Sequence, residues 1–351
     1  MTKLFYSDKP VIGLDISESG LKIMSTDINK WLVEGYGSID LDPIKTRQSI
    51  ESGTPYLADN IKALLKDKLA GSLASDYVAI SIPTARSYTR TLNLPLKVEN
   101  KLKDAVELEA EQYIPIPLST LYIDYEIIER SKTDITVLMS GIAKTIVDNC
   151  VAAVEEAGLT VSLVEPSMSS VARLITRTED GQLPSVIVDI GQNSTDIAVM
   201  DGGFIRVTGG IAIGGDMLTQ AIAKKLSVPI DEARELKIQN GLSAGPRQEK
   251  IRSAIEPSLS YILTETRKVM RYYNERVNDG RKLEQLLVVG NGSNMPGIGE
   301  YFTDKLIMPA RVASPWQQLD FGKLPDPSRQ LLPRYITVAG LSVVDPGSIW
   351  L

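Results

Sequence analysis

The sequence predicts an α/β protein built from two copies of one unit around a cleft, with a small α+β subdomain inserted in the first copy. Three observations carry this. Residues 11–24 (VIGLDISESGLKIM) read as an apolar strand, a small polar turn and a second apolar strand. Residues 186–201 (VIVDIGQNSTDIAVMD) repeat that order about half a chain length later, each copy with an Asp-Ile pair before its turn. Residues 76–145 carry strands and a helix of their own between segments of the first copy. The resulting organisation is a first domain at 1–184 with its insert at about 76–145, a second domain at 185–334 with an insert at about 213–282, and a C-terminal segment at 335–351 that packs back on the first domain.

The elements follow in order. VIGLDI and LKIMSTD form a hairpin, and one helix in residues 10–74 is expected at YLADNIKALLKDKLA, where Leu57, Ile61, Leu64, Leu65 and Leu69 recur at helical spacing. Residues 77–83 (YVAISIP) read as a buried strand ended by Pro83. ENKLKDAVELEAEQYI places Leu102, Ala105, Val106, Ala110 and Tyr113 along one helix face and stops at Pro115 and Pro117. LYIDYEIIER and DITVLMSGIA are a further pair of strands. KTIVDNCVAAVEEAG is a helix closed by Gly158. Strand TVSLVEP and helix SMSSVARLI lead to the polar stretch 178–185, the expected domain boundary. Beyond it come strand-turn-strand, short helices at GGDMLTQAIAKKL and DEARELKIQ, and a long helix over about 251–277 with Ile255, Leu259, Ile262, Val269, Tyr273 and Val277 on one stripe. A final strand-turn-helix lies at 283–302.

Composition narrows the chemistry. Lys plus Arg number 38 against 44 Asp plus Glu, a net charge of −6, which argues against a nucleic-acid partner. There is no histidine, so Ser-His-Asp and Cys-His catalysis and the usual zinc sites are excluded. One cysteine, Cys150, precludes an internal disulfide; it is expected in a helix core of a protein from a reducing compartment. No transmembrane helix is expected, and the N-terminus MTKLFYSDKP lacks the apolar core of a secretion signal.

The two hairpins are the candidate site. A tight tip rich in Gly, Ser and Thr turns backbone N–H groups and hydroxyls toward one point, a nest for phosphate oxygens, and an adjacent Asp can hold Mg²⁺ through its waters. In the first hairpin Ser17 stands where a glycine is usual. If Ser17 had to adopt left-handed backbone, the cost would be of order 1–2 kcal/mol, or about tenfold in affinity.

With IGLDISESGLK, VDIGQNSTDI, AIGGDMLTQAIAKKL and VVGNGSNMPGI in this order, the chain resembles the actin-like ATPase superfamily. Within it, VELEAEQYIPIPLSTLYIDYEII (residues 106–128) is similar to the small-domain segment of the PilM family of type IV pilus assembly. The resemblance implies an actin-like (ribonuclease H-like) fold that binds ATP or ADP with Mg²⁺. It assigns Asp15, Ser17, Glu18, Ser19, Gly20 and Lys22 to a first phosphate motif, with Lys22 meeting the outer phosphates. Asp189, Gly191, Gln192, Asn193, Ser194 and Thr195 match a second, with Asp15 and Asp189 near the metal. Glu165 falls where relatives orient the attacking water. Gly214, Gly215 and Asp216 match a turn beside the ribose, Glu265 and Lys268 positions reaching the adenosine, and Gly290, Asn291, Gly292 and Ser293 the adenosine motif. Asn291 interrupts its usual Gly-Gly pair, a mild change because Asn tolerates left-handed backbone. Plainer readings stand beside these: Lys22 as a solvated strand residue, Glu165 as a strand end, Glu265 and Lys268 as a surface ion pair.

The resemblance also implies a partner: a short N-terminal cytoplasmic peptide of a PilN-like inner-membrane protein, which would hold the chain in the cytoplasm at the membrane periphery. Residues 77–83 and 121–128 are the strands expected to accept such a peptide by edge addition. Self-association stays open, because helix 251–277 could pack internally or on another subunit. Three functions compete: a nucleotide-holding scaffold with slow hydrolysis, an active actin-fold ATPase or kinase, and an FtsA-like division anchor or filament protein. No kinase Asp is identifiable, and the tail VVDPGSIWL lacks the basic residues of a membrane-lying helix. The scaffold reading is preferred.

Overall fold

The structure, a computed structural model, describes residues 9–179, 181–243, 248–277 and 280–349. The readings made on residues 1–8, Asp180 in the boundary stretch, residues 244–247 and 278–279 in the second insert, and the last two residues of the tail lie outside these. Strands β1 (Ile12–Ser17), β2 (Gly20–Asp27) and β3 (Leu32–Asp40) form an antiparallel meander. Two helices follow, α1 (Pro43–Ser52) and α2 (Tyr56–Asp67), where one was expected. The first was hidden because its apolar stripe is weak; Asp42 caps it by accepting from the N–H groups of Ile44 and Lys45, and Pro43 opens it. Strand β4 (Leu69–Gly71) closes one edge, and β5 (Tyr77–Ile82) runs parallel to β1.

The insert comprises β6 (Ser87–Pro95), α3 (Leu102–Tyr113), β7 (Leu121–Arg130) and β8 (Asp134–Ala143), a sheet in the order β6-β8-β7 with α3 on one face. Its first strand, β6, was not anticipated. Residues 77–82, by contrast, belong to the main sheet. The chain then returns through α4 (Lys144–Glu156), β9 (Thr160–Pro166) and α5 (Ser167–Thr178).

The second half opens with β10 (Ser185–Ile190), β11 (Thr195–Asp201) and β12 (Phe204–Ile211), followed by α6 (Gly215–Leu226), α7 (Ile230–Gln239) and α8 (Gln248–Tyr272), which ends in a π-turn over Tyr273–Val277. Next come β13 (Gln285–Val289), α9 (Ile298–Leu306), β14 (Ala310–Val312), α10 (Ile336–Ser342) and the short α11 (Pro346–Ile349). The two main sheets run β4-β3-β2-β1-β5-β9 and β12-β11-β10-β13-β14. Apart from β4 they superimpose in order and sense: a three-strand meander, then two parallel strands reached by crossovers. The duplication read from the two hairpins is therefore a duplication of whole sheets.

The three largest apolar clusters among the described residues hold the two halves. One lies within each half, and a third joins them, bringing Met24 and Val33 together with Ile187, Ala198, Leu287 and the helix residues Val338 and Ala339. Helix α8 buries Ile251, Ile255, Leu259, Ile262 and Val269 in the core of the second half, so its stripe packs internally. Helix α10 lies against β1 and α5 so closely that side chains are excluded: a Cβ on Gly13 would lie 2.6 Å from the Val338 carbonyl oxygen, and one on Gly340 2.0 Å from that of Ser170. Cys150 is buried in α4, and burial pushes its thiol up to about 12. Among the described residues no helix is long and apolar enough to cross a membrane.

Candidate functional site

The tips of the β1–β2 and β10–β11 hairpins face one another across a cavity of about 380 Å³ between the halves. Asp15, Ser17, Glu18, Ser19 and Lys22 line it from the first half, and Asp189, Gly191, Gln192, Asn193, Ser194 and Asp196 from the second. Gly290 and Asn291 form part of its wall.

The first hairpin is internally neutralised. Asp15 and Lys22 are register partners, and the Lys22 ammonium donates to Asp15 Oδ2 at 2.8 Å and to Ser17 Oγ at 2.8 Å. Ser81 on the neighbouring strand donates to the other Asp15 oxygen at 2.7 Å. Ser17 ends β1 with ordinary strand backbone; Trp31, Ser227 and Ile307 are the non-glycine positions with positive φ among the described residues. The backbone cost anticipated for Ser17 therefore does not arise, because the turn closes without left-handed geometry. Its hydroxyl donates to the Gly20 carbonyl at 2.8 Å.

The second hairpin has the same register but the opposite charge balance. Asp189 pairs with Asp196, so an aspartate stands where the first hairpin has Lys22. Burial, reinforced by Asp196 and Asp15, pushes Asp189 up to about 7, and burial raises Asp196 to about 6. Asp196 Oδ1 is shielded from solvent with no hydrogen-bond partner in the structure. Reading each copy only as far as Asp-x-Gly missed Asp196; aligning the hairpins through to the second strand would have found it.

Gly290 has φ of 78°, and a Cβ there would lie 2.0 Å from Asp189 Oδ1. Asn291 opens a 3₁₀ turn (Asn291–Asn294) and is not left-handed, so Gly290 alone meets the conformational demand of this motif. Gly292 and Ser293 are buried behind it. Gly20 and Thr195 begin β2 and β11 and are not among the residues lining the cavity; the Thr195 hydroxyl donates to the Ile213 carbonyl at 2.7 Å. Gly214, Gly215 and Asp216 buttress the second tip: the N–H of Gly215 donates to Gly191 O, that of Asp216 to Gln192 O, each at 2.9 Å, and Gln192 Nε2 reaches Asp216 Oδ2 at 3.0 Å. Beside them, Lys237 on α7 donates to Gly215 O and Thr219 Oγ1 at 2.8 Å, and burial lowers its ammonium to about 8.

Glu165, Glu265 and Lys268, named from sequence, also lie outside the lining of this cavity. Glu165 does not line the cavity: Arg173 donates to both its oxygens, at 2.7 and 2.5 Å, and to the Gly340 carbonyl at 3.1 Å, making a structural clasp beneath α10. Glu265 and Lys268 pair with each other at 2.9 Å and line a separate hollow with Arg90, Thr91 and Tyr272, because that face of α8 looks toward the insert. Conversely, Arg47, Arg86 and Arg334 line the cavity between the hairpins, and none was singled out from sequence.

A Mg²⁺ ion fits this donor set. Asp196 Oδ1 is unpartnered, and the raised Asp189 and Asp196 carboxyls would be relieved by a cation, whereas both Asp15 oxygens are already engaged. Among the described residues no group of three or more His, Cys, Asp or Glu is placed to hold a metal ion.

The profile of the family described as type IV pilus assembly protein PilM matches residues 13–344. The chain belongs to the PilM family. Among solved structures, a PilM–PilN type IV pilus biogenesis complex has a TM-score of 0.78 at 22% identity, covering 95% of this chain and 97% of that one. MreB5 of Spiroplasma citri bound to AMPPNP gives 0.52 at 14% identity, with 95% of each chain covered. The PilM fold is thus the actin-like one. The cell division protein FtsA of Neisseria meningitidis serogroup B is 24% identical over 322 residues, 82% of this chain and 72% of that protein. FtsA of Pseudomonas aeruginosa is 28% identical over 249 residues, 60% of this chain and 58% of that protein.

Proposed function

We propose that this PilM-family chain is a cytoplasmic scaffold of the pilus machinery that holds ATP or ADP with Mg²⁺ and docks a short N-terminal cytoplasmic peptide of a PilN-like inner-membrane protein. The observation that carries the nucleotide reading is the pair of facing hairpins, one neutralised by Lys22 and one left with an unpartnered Asp196. Phosphate oxygens would take the tip hydroxyls of Ser17, Ser19 and Ser194 and the Lys22 ammonium, which can exchange Asp15 for phosphate within the same hairpin. Asp189 and Asp196 would face the ion, which neutralises phosphate charge when bound. Holding is favoured over rapid hydrolysis, because the carboxylate nominated to orient water is locked to Arg173.

For the peptide, β5 is ruled out as an acceptor: it is paired with β1 on one side and β9 on the other. Strand β7 is one edge of the insert sheet, the other being β6, and β9 is one edge of the main sheet, the other being β4. Glu126 on β7 feels the charges of Arg173 on α5 and Glu165 on β9, so β7 runs near the first half at that point. That supports strand addition along β7.

Isothermal titration with Mg-ATP and with the partner's N-terminal peptide tests both parts. Saturable heat is expected in each, with single-turnover hydrolysis slow. Hydrolysis or substrate phosphorylation at the roughly 10 s⁻¹ typical of enzymes would replace the scaffold with an active ATPase or kinase, and no heat with any such peptide would remove PilN-like docking.

A further inference from the structure

At the mouth of the cavity, Glu18 occupies the very tip of the first hairpin, between Ser17 at the end of β1 and Gly20 at the start of β2. Its carboxylate is held by two arginines from different elements. Arg47 on α1 donates through Nη2 to Oε2 at 2.8 Å, and Arg86, which precedes β6, donates to Oε1 at 3.0 Å. Arg86 also binds Glu51 at 2.9 Å through its other nitrogen. All of Glu18, Arg47 and Arg86 line the cavity that the two hairpins enclose. Burial works against the charge on Glu18, yet the two guanidiniums hold its carboxyl below the usual range, so it is anionic at neutral pH.

An anion at the tip of a phosphate-binding turn is out of place unless something balances it. Here the balance is local: two cations, shared by Glu18 and, at one of them, Glu51. A nucleotide diphosphate ends one phosphate short of a triphosphate, so only the latter brings a further, doubly charged group toward the tip. That group and Glu18 would compete for the same guanidiniums, and like charges this close are strongly disfavoured.

We propose that Glu18, Arg47 and Arg86 form a terminal-phosphate discriminator, in which the outermost phosphate of a bound triphosphate takes Arg86 and Arg47 from Glu18 and a diphosphate leaves that pairing intact. This rests on the nucleotide reading above. Because Arg86 leads directly into β6, the exchange occurs at the root of the insert. Glu18 sets the penalty on the triphosphate, and Arg86 and Arg47 supply its compensation.

The test is the ratio of ADP to ATP dissociation constants, measured by titration in the presence of Mg²⁺ for the full chain and its variants. Glu18→Gln keeps the side-chain shape and removes the competing charge; ATP should tighten relative to ADP by about five- to tenfold. Arg86→Gln should move the ratio the other way by a similar factor, and Arg47→Gln, on a more exposed side chain, in the same direction by less. A role confined to folding would weaken both nucleotides together and leave the ratio unchanged. Unaltered ratios in Glu18→Gln and Arg47→Gln, with both nucleotides still bound, would overturn the discriminator alone. Absence of any nucleotide binding by the unsubstituted chain would overturn it together with the reading on which it rests.

Discussion

Asp189 and Asp196 occupy the register that Asp15 and Lys22 hold in the other hairpin, and that single reversal of charge gives the cleft its polarity. It also gives a pH signature. Both folded-state values, about 7 and about 6, lie above the ordinary carboxyl value of 3.8, so the folded chain holds extra protons between those limits. Stability from this source is full at acid pH and is lost as pH rises through the folded values. The melting temperature of the nucleotide-free protein should therefore fall between about pH 4 and 7, and Asp189→Asn should flatten the decline; an equal decline in that variant would refute the assignment. Mg²⁺ binding should strengthen over the same interval, since the ion displaces those protons. Gly290→Ala meets both a positive φ and the Asp189 carboxylate, so it should cost at least about 1–2 kcal/mol in denaturant unfolding and weaken nucleotide binding. Asp15, Lys22, Asp189, Gly191 and Gly290 were legible as residues because motif spacing preserves them. Arg86 and Arg334 were not, because each reaches the cavity from an element whose position no local pattern reveals.

Elements show where periodicity stops informing. The sequence left the stripe on α8 open between internal packing and another subunit; the structure buries it within the second half, while Glu265 and Lys268 on another face turn toward the insert and away from the cavity between the hairpins. Residues 77–82 were read correctly as a strand, yet only the sheet order shows them central and therefore closed to a peptide. Glu165 at the end of β9 was assigned by its neighbourhood in sequence, whereas Arg173, two turns along α5, decides what it does. Removing one member of such a buried pair strands the other: Arg173→Met should destabilise the fold by about 3 kcal/mol in denaturant titration. Nucleotide affinity of the folded fraction should stay within about twofold, a change of a few tenths of a kcal/mol; a large selective loss of affinity would return Glu165 to the site.

For the whole molecule, the joining cluster beneath the cleft and the close seat of α10 on β1 tie the two halves at their base, while the hairpin tips meet only across open space. A ligand bridging those tips should stabilise the chain as a unit. At a hundredfold excess over its dissociation constant, Mg-nucleotide should add about 2.7 kcal/mol, read as a rise in melting temperature that Asp189→Asn diminishes. No rise at saturation would separate the cavity from nucleotide binding. Replacing Gly340 with Ala drives a methyl group toward the Ser170 carbonyl and should cost about 1–3 kcal/mol, measurable in the same assay.

By itself the amino-acid sequence determined the duplication, the hairpin-and-helix grammar of each half, and the exclusion of histidine chemistry, because these depend on local period, turn composition and counts. Tertiary structure alone decided which charges meet. An ion pair forms by distance in space, and the pairing of Glu165 with Arg173, of Glu18 with Arg47 and Arg86, and the solitude of Asp196 all depend on how separate elements pack.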